Sequence, residues 1–544
     1  MSRLVATTVL GSLLLSLPAS ADRRRRVAQK EDAEEEVDQD GPEAKSALTV
    51  KLDDLIEVAV RLSPELARSK NDRLTAKGAA QAARKDQQWV VSAKGEAERF
   101  ATSPDVEVGA FQVVSENKLS VNLGVGRNIP TGGNVSFEVG IIRTLREFEI
   151  PAGLGRLMGE GIAANIPENL LDGDRVVDEN IVNQAQAKLT FKQPLVRGFG
   201  SDVALANERK GDLAATDATV KTQFAAEEMV RDVATAYWEL AYASYEVDTR
   251  AEALDIAKKQ EEATRVEFRA QVGSQNALNA IQYEVAIREE ALLDSKNTYE
   301  KKSLDLRKKV GLELDRRDIV LKPADKFLAE DDEWDVEEIL KRSRKGNRQL
   351  ASIILQKRQA DIDVKVAKDA MLPQVDLQLS GALIGSGNTP DAAFSSTTGG
   401  AGFQVIAGLS VQFEVGGAAK GNHDAALARR QRLEVDQLDV QRSIDAEVVH
   451  AVHQAQSARA RVTLAEKAIL VAEDNWKGEK AAFQAGGNRT DNYKVMQRQT
   501  EVITAKIRRG RAIADYHNAV VQVQFFGGML LEQYRVNVRP LPKK

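Results

Sequence analysis

The 544-residue sequence contains no cysteine and only four histidines, and aromatic residues make up 5% of it. The missing thiols exclude disulfides, thiolate metal sites, cysteine nucleophiles and a lipidated N-terminal cysteine. Lys and Arg number 76 against 81 Asp and Glu, a net charge of −5, so there is no basic footprint for nucleic acid. We therefore expect neither an enzyme nor a nucleic-acid-binding protein, and no cofactor.

The first 21 residues have the pattern of a signal peptide. Arg3 precedes an apolar stretch at 4–17, and small residues follow, so cleavage is predicted after Ala21. Residues 22–46 carry a basic run and then an acidic run with almost no large apolar side chains, which predicts a disordered charged arm. No later segment has the length and apolar character of a transmembrane helix. The protein is expected to be exported.

Two clusters of segments alternate apolar and polar residues with a period of two, as the strands of a membrane barrel do. The first cluster covers 119–125, 135–141 and 187–191, and the second covers 375–379 and 403–413. A tilted strand of about 9–11 residues crosses the hydrocarbon, which is close to the length of these stretches. A soluble sheet with one wet face shows the same alternation, so the strands alone leave both interpretations open.

Most of the remaining sequence predicts long helices. A nearly unbroken heptad pattern from Gly200 to Phe268 predicts a rod of about 100 Å at 1.5 Å per residue, and 444–476 repeats the rhythm. Each rod meets a glycine break, at Gly273 or at Gly486-Gly487, and then returns as another helix. These are two long helical hairpins, with return helices at about 276–310 and 488–526.

The two halves of the chain repeat. An offset of 284 aligns 52–56 with 336–340, and an offset of 215 aligns the apolar positions of the two rods, which indicates an internal duplication. The predicted divisions are a signal peptide (1–21), a charged arm (22–46), a first repeat (47–311), a linker (312–334), a second repeat (335–530) and a C-terminal tail (531–544). Within the repeats, strands are expected at about 91–196 and 374–415, helical hairpins at about 201–310 and 418–526, and tips near 273 and 487.

Short motifs at matching places in the two halves resemble those of one family. Gln193-Pro194-Leu195-Val196-Arg197-Gly198-Phe199-Gly200 resembles the first strand-to-helix signature of TolC-like outer-membrane efflux proteins, and 411–417, with Gly416 and Gly417, looks like its second-repeat counterpart. Three further segments are similar to the opening helix, the aromatic pair of the long helix and the helix-to-strand entry of repeat two: 48–50 with 63–66, 236–240, and 371–373.

The resemblance implies a mainly α protein with a β-barrel portion. The implied assembly is a homotrimer that closes one outer-membrane β-barrel, and this barrel continues into a periplasmic α-helical barrel. The implied function is the exit duct of a tripartite efflux or type I secretion system. Its partners would be a periplasmic adaptor (membrane fusion) protein, an inner-membrane pump and outer-membrane lipid. The alternative is a soluble periplasmic coiled-coil adaptor or scaffold.

The first half departs from the plain family pattern. Four strands per chain would give a twelve-stranded barrel in a trimer, but this sequence has an additional hairpin at about 117–143 and a Gly-rich insertion at 151–183. Either the barrel gains strands or the hairpin folds over its mouth. We expect a modified rim or mouth, with the insertion as an extracellular loop.

By the same resemblance, gating and adaptor contact belong to the helical tips. Arg489 aligns with an arginine that bonds across the closed state, whereas the usual pore acids align with Tyr493 and Met496, and a gate carboxylate aligns with Asn279. A ring of Asp491 would replace those acids and favour cations. Alternatively, Arg489 and Asp491 are solvated turn residues. The predicted tip residues are Gly273, Ser274, Gln275, Asn276, Asn279, Gly486, Gly487, Asn488, Arg489, Thr490 and Asp491.

Two other groups of residues are interpreted as structural. Glu447, His450 and His453 share a helix face at a spacing that suits a metal, but we expect a surface position with no binding role. The four tryptophans, at 89, 238, 334 and 476, are expected to be packing or interface anchors. No metal site is predicted.

Overall fold

The computed structural model describes residues 46–101, 112–150, 176–271, 273–314, 319–330, 333–400, 402–485 and 492–537. Within these ranges the chain is mostly helical, with one sheet of six long strands and a second sheet of two short ones. The predicted signal peptide and nearly all of the predicted charged arm lie outside the described residues.

The first half of the chain runs from a short strand into two helices, four strands and a long helical hairpin. Its elements are β1 (Ser46–Val50), α1 (Leu52–Leu62), α2 (Pro64–Ala83), β2 (Val90–Ala101), β3 (Gln112–Asn128), β4 (Asn134–Ile150), β5 (Val176–Pro194), α3 (Ser201–Ala204), α4 (Ala206–Arg269) and α5 (Gln275–Val310). Helix α4 has 64 residues. At 1.5 Å per residue it is about 96 Å long, as the heptad pattern predicts.

The second half repeats this order with fewer strands. Its elements are β6 (Ile319–Pro323), α6 (Val336–Gly346), α7 (Arg348–Asp369), β7 (Gln374–Gly387), α8 (Pro390–Gly399), β8 (Gly402–Gln412), α9 (Ala418–Gln484), α10 (Asn492–Phe526) and α11 (Leu530–Gln533). Helix α9, with 67 residues, is about 100 Å long. Each half therefore contains a pair of short helices, barrel-type strands and one long hairpin.

Local sequence signals account for where several helices begin and end. Ser63 and Asn347 accept hydrogen bonds from backbone N–H groups in the first turns of α2 and α7, and Pro64 occupies the first position of α2. Helix α5 ends at Gly311, whose φ of 85° is a left-handed conformation that glycine adopts without a steric penalty. Because these signals are local, they were accessible from the sequence.

The main hydrophobic core surrounds the middle of α4. Val230, Val233, Tyr237 and Leu240, four of the predicted heptad positions, are fully buried against α1, the end of α5 and the C-terminal segment. The Tyr237 hydroxyl donates to the carbonyl of Val50 and accepts from the amides of Ala324 and Asp325. Burial raises the Tyr237 pKa above its usual value, so this hydroxyl stays protonated. Tyr237 thus ties α4 to the β1 strand and to the segment after β6.

The second hydrophobic core continues the seam of the other rod. Ile444, Val448, Ala451 and Ala455 of α9 are buried against α6, α7 and α10. The small side chains of this seam let the helices approach closely, as expected from the sequence. Farther along α9, Ile469 and Trp476 are only half-buried.

Four sequence predictions differ from the structure. Residues 48–50, predicted within an opening helix, pair in parallel with β6 instead. Residues 390–399, which fall within the strand region predicted at about 374–415, form helix α8, because Thr389 caps a helix that begins with Pro390. Residues 176–183 of the predicted insertion belong to β5, while 151–175 lie outside the described residues. The predicted C-terminal tail starts as ordered structure, since Leu531, Tyr534 and Val536 pack on the main core.

No helix in the described part of the chain combines the length and apolar character needed to cross a membrane.

The junction between the two repeats contains a buried carboxyl group. Glu227 of α4 is 2% exposed, and its carboxylate lies 3.8 Å from the guanidinium of Arg348 at the start of α7. Burial raises the Glu227 pKa to about 7, and the nearby arginine only partly opposes this effect. Asp217 accepts a hydrogen bond from Ser352 in the same junction.

Glu227→Gln should weaken the pH dependence of stability. The carboxyl group ionises near pH 4.5 in the unfolded chain but near pH 7 in the fold, so native stability falls as pH rises between these values. A raised pKa of this size corresponds to about 3 kcal/mol in the free energy of unfolding. Thermal unfolding of the purified protein at pH 5 and pH 8 measures this pH dependence. The exposed Glu290→Gln is the control, and an unchanged pH dependence in Glu227→Gln would contradict the assignment.

Candidate functional site: a two-faced sheet joined to helical hairpins

The six-stranded sheet has one continuous apolar face. Its strand order is β2-β3-β4-β5-β7-β8, all antiparallel. Directly paired residues lie on the same face of such a sheet. One row across all six strands is Val91, Val125, Phe137, Leu189, Gly381 and Val405, and the next is Ala93, Leu123, Val139, Ala187, Leu383 and Phe403.

This apolar face is largely uncovered. Val91, Leu123 and Phe403 are 79%, 59% and 80% exposed, far more than large apolar side chains are in a soluble core. Helix α8 lies against part of the face, where a side chain at Gly385 would come within 2.2 Å of the Ala393 carbonyl. Glycine at position 385 is therefore required for α8 to approach the sheet.

The opposite face of the sheet is polar. It carries Ser, Asn, Gln and Thr together with charges of both signs, for example Glu138 and Lys188, which are paired neighbours. Ser120, Ser380 and Asp376 on this face are buried. A sheet with one apolar and one polar face has the alternation that is expected of a membrane barrel with a polar interior.

The first strand-to-helix loop is held by three parts of the chain. Gly198 and Gly200 have φ values of 81° and 99°, so glycine fits both positions. The Gly198 amide donates to the Asp369 carboxylate at the end of α7, at 2.7 Å, and the Leu195 amide donates to the Val375 carbonyl. Repeat two thus holds the loop of repeat one in place. The predicted signature does come together here, while Asp369 was not predicted.

The turn of the additional hairpin packs into the same loop. The Thr131 carbonyl accepts from the Gly200 amide at 3.1 Å and from the Gln193 side chain at 3.2 Å. Gly132, with φ of 92°, lies so close that a side chain there would come within 2.1 Å of the Gly198 carbonyl. The hairpin is therefore anchored at its base and paired along both of its strands. The expectation that it modifies the rim or mouth is wrong for the described residues, because the hairpin joins the sheet between β2 and β5.

The corresponding loop of repeat two is open. Gly417, with φ of 71°, precedes α9, and neither Gly416 nor Gly417 has an atom within 4 Å of an added side-chain carbon. Phe413 and Val415 are 71% and 95% exposed. The two signatures have similar sequences but different surroundings, since only the first contacts a hairpin turn and a capping aspartate.

Strand β2 is a functional element that the alternation pattern missed. Its apolar-face positions include Ala93, Gly95 and Ala97, which are too small to contrast with their polar neighbours. Val91 is the one large apolar side chain in this part of the strand. The available signal was a period of two in residue size rather than in hydrophobicity.

The first helical tip lies where the glycine break predicts. Helix α4 ends at Arg269 and α5 begins at Gln275, and the Ser274 hydroxyl accepts from the Ala277 amide at the start of α5. The Gln275 amide donates to the Asn279 side chain at 2.8 Å. The structure thus brings two predicted tip residues together. The other predicted tip, Gly486 to Asp491, lies outside the described residues.

Polar contacts join the two hairpins above the tips. The buried Arg288 guanidinium of α5 donates to the Ala253 carbonyl at 3.0 Å and to the Thr500 hydroxyl of α10 at 3.5 Å. Lys506 of α10 pairs with Glu252 of α4 at 3.3 Å. Neither contact was predicted, because each joins residues more than 200 positions apart.

A second cross-hairpin contact centres on Glu239 in the middle of α4. Its carboxylate binds Lys302 and Arg511 and accepts from Asn518. Burial disfavours the charged carboxylate, yet Arg511 and Lys302 hold the Glu239 pKa below its usual value. Glu239 is therefore an ionised anchor between repeats.

The remaining candidates have structural surroundings. The His450 ring contacts the side chain of Gln454 on the same helix, and no cluster of metal-ligating side chains occurs among the described residues. Trp238 is buried and stacks on His517 with ring centroids 3.6 Å apart, whereas Trp334 packs on the second core. Trp89 and Trp476 lie near the cations Arg127 and Lys480.

An uncovered apolar sheet on long helical hairpins defines the class of outer-membrane channels. Residues 339–527 match the family described as outer membrane efflux protein, which confirms the resemblance to TolC-like outer-membrane efflux proteins. A comparison with curated protein sequences found no match.

Solved outer-membrane proteins share the fold. The chain is similar to the outer membrane protein VceC of Vibrio cholerae, at 16% identity and a TM-score of 0.62 over 88% of this chain and 96% of that one. It is similar to the CmeC outer membrane channel of Campylobacter jejuni, at 12% identity and a TM-score of 0.62 over 88% and 85%. It is also similar to the open state of the MtrE outer membrane channel of Neisseria gonorrhoeae, at 12% identity and a TM-score of 0.59 over 88% of this chain and 89% of that one. CmeC and MtrE are described as outer membrane channels, and together with the match to the efflux family these likenesses favour the predicted channel over the soluble scaffold.

Gly132→Ala should disrupt the docking of the hairpin. The added methyl group would clash with the Gly198 carbonyl and would also strain a positive φ. Gly200→Ala is a matched control, because its φ is similar but its side chain enters open space. Strain at one such position costs about 1–2 kcal/mol. We expect Gly132→Ala to lower the thermal stability of the extracted protein much more than the control. Equal losses would show that the turn does not pack into the loop.

Proposed function

We propose that this protein is the outer-membrane exit duct of a tripartite efflux or secretion system. Three copies close their sheets into one membrane barrel, and their helical hairpins form a tunnel through the periplasm. A periplasmic adaptor and an inner-membrane pump supply the coupling and the energy. Substrate identity is left to the pump.

The observation that carries this proposal is the uncovered apolar face. Its rows span all six strands without interruption, and the opposite face is polar. A soluble scaffold would gain nothing from exposing Phe403, Val405 and Leu409 to water. Lipid against the apolar face and water against the polar face would suit both faces of the sheet.

The helices also expose apolar side chains that a single copy leaves uncovered. On α9 they include Val435, Leu438 and Leu464, and on α5 they include Tyr283 and Leu293. Burial of such surface is worth roughly 25 cal/mol per Å². Neighbouring copies in a homotrimer would cover these faces and complete the helical tunnel.

The tips are the proposed sites of gating and adaptor contact. Gln275 and Asn279 stand beside the first tip, and Arg489 and Asp491 belong to the second. Asn279 replaces a carboxylate of the family pattern. Any anionic ring must then come from Asp491.

Cell fractionation followed by bilayer recording tests the proposed function. We expect the protein in the outer-membrane fraction, released only by detergent as a particle of three chains. Inserted into a planar bilayer, the particle should conduct ions. A soluble monomer released by osmotic shock would contradict the duct and favour the periplasmic scaffold.

Arg288→Gln should raise the open fraction of the channel. The substitution removes a charged donor that ties the two hairpins together through Thr500. Hydrogen bonds to charged groups contribute about 1.5–3 kcal/mol, so the open fraction should rise about tenfold or more if these bonds hold the closed state. Single-channel recording measures the open fraction. Arg265→Gln, which breaks only an ion pair within α4, is the control. Equal open fractions in the two variants would show that the Arg288 contact does not restrain opening.

A further inference from the structure

The additional hairpin occupies a full place in the sheet. In the sheet, β3 and β4 stand between β2 and β5. They pair with each other and with both neighbours, with one register shift, between Val113 and Ser115. Val121 and Leu123 of β3 continue the apolar rows, as do Val139 and Ile141 of β4. Its base is fixed by the Thr131 contacts to Gly200 and Gln193. The hairpin is therefore part of the sheet itself and does not lie over its end.

Among the residues that the structure describes, no further strand pairs with either edge of the sheet in a single copy. Strand β2 is exposed along all twelve residues, and β8 is exposed at every residue but one. Unpaired backbone groups are intolerable within lipid, so a membrane sheet must close. Six strands are fewer than the smallest known membrane barrels, which have eight. Closure therefore needs further copies.

The edges are compatible with each other across two copies. Because neighbouring strands alternate in direction and the number of strands is even, β2 and β8 are antiparallel. Both carry apolar residues on the same face, including Val91 on β2 and Leu409 on β8. The exposed Phe413 and Val415 extend this edge beyond β8. A second copy of the chain fits the edge without a break in pairing direction or face.

We propose that the trimer forms an eighteen-stranded barrel, in which β8 of each copy pairs with β2 of the next. The proposal rests on the proposed function and adds the hairpin to the wall. Barrel diameter grows roughly linearly with strand number, so this barrel is about 1.5 times as wide as a twelve-stranded one. Barrels of 16–18 strands enclose an aqueous channel. The duct then widens at its outer end and admits bulkier substrates than a twelve-stranded barrel.

Stagger along the sheet indicates which residues meet at the closing edge. The row that starts at Val91, next to the first residue of β2, reaches β8 at Val405, whereas β8 runs on to Gln412. The strands are therefore tilted, as barrel closure requires. Aligning the periplasmic ends of the two edge strands places Ala93 opposite Leu409 of the next copy.

Disulfide mapping tests this arrangement in a chain that contains no native cysteine. Ala93→Cys with Leu123→Cys joins direct partners on β2 and β3, so an intramolecular disulfide is expected on oxidation in outer-membrane vesicles. Ala97→Cys with Ala187→Cys distinguishes the alternative. In the proposed wall these residues are three strand spacings apart laterally and four residues apart along the strand, about 20 Å in all, which is beyond disulfide reach. They become neighbours only if β2 pairs directly with β5 in a twelve-stranded barrel.

The closing edge is tested with a second set of variants. Ala93→Cys is combined in turn with Ala407→Cys, Leu409→Cys and Val411→Cys on the same face, and with Ser410→Cys on the opposite face as the control. We expect a covalent trimer on a non-reducing gel from at least one same-face pair and none from the control.

Each outcome has a separate meaning. Formation of the Ala97–Ala187 disulfide with loss of the Ala93–Leu123 disulfide, in a trimer that still cross-links, would overturn the eighteen-stranded barrel and leave the duct intact. Formation of the Ala93–Leu123 disulfide with no cross-link between copies, in a protein that needs no detergent, would overturn the proposed function itself.

Discussion

The unpaired hydrogen-bonding groups at the edges of the sheet determine much of what this protein must do. In water, edge strands can be solvated, but an apolar face as large as this one has no reason to be in water. In lipid, the apolar face is stabilised, but the unpaired backbone N–H and C=O groups at the edges of the sheet are destabilising. The proposed assembly of several copies would resolve both, because it would pair the edges of the sheet and cover the exposed helical faces.

The two repeats share one order of elements but differ in their number of strands. Both contain short helices, strands, a glycine loop and a long hairpin, in the same order. The first contains two further strands, β3 and β4, and its loop at Gly198 is packed between the turn that joins them and Asp369. The second has kept an open loop, with Val415 exposed at the edge where another copy would join. The first loop therefore lies at a junction within the chain, whereas the second lies at the edge of the sheet where another copy would join.

Electrostatic contacts between the hairpins add a second kind of constraint. The seam of α9 is rich in alanine and makes only apolar contacts, whereas Glu239 and Arg288 hold specific positions through charge-assisted bonds. In the proposed duct such bonds would restrain opening, since they are discrete and can break without disrupting the packed core. Glu227 is different, because its burial favours the neutral acid and relates stability to pH instead.

The sequence predicted whatever depends on neighbours along the chain. Heptad spacing predicted the buried positions from Val230 to Leu240, and alternation predicted β3, β4 and β8, because both patterns arise within one element. The place of the hairpin in the sheet could not be predicted, since it depends on pairing of β2 with β3 and of β4 with β5. The same holds for Asp369 at Gly198 and Thr500 at Arg288, where contacts join distant segments. Helix α8 could have been predicted from its Thr389-Pro390 start.

Cryo-electron microscopy of the protein in lipid nanodiscs is the most direct test of the central claim. The account predicts a threefold particle whose membrane section is one closed ring of strands, with the Phe403 and Leu123 face towards lipid and the helical hairpins projecting on one side. A particle whose strands lie outside the bilayer, or a single copy with open sheet edges in solution, would contradict it.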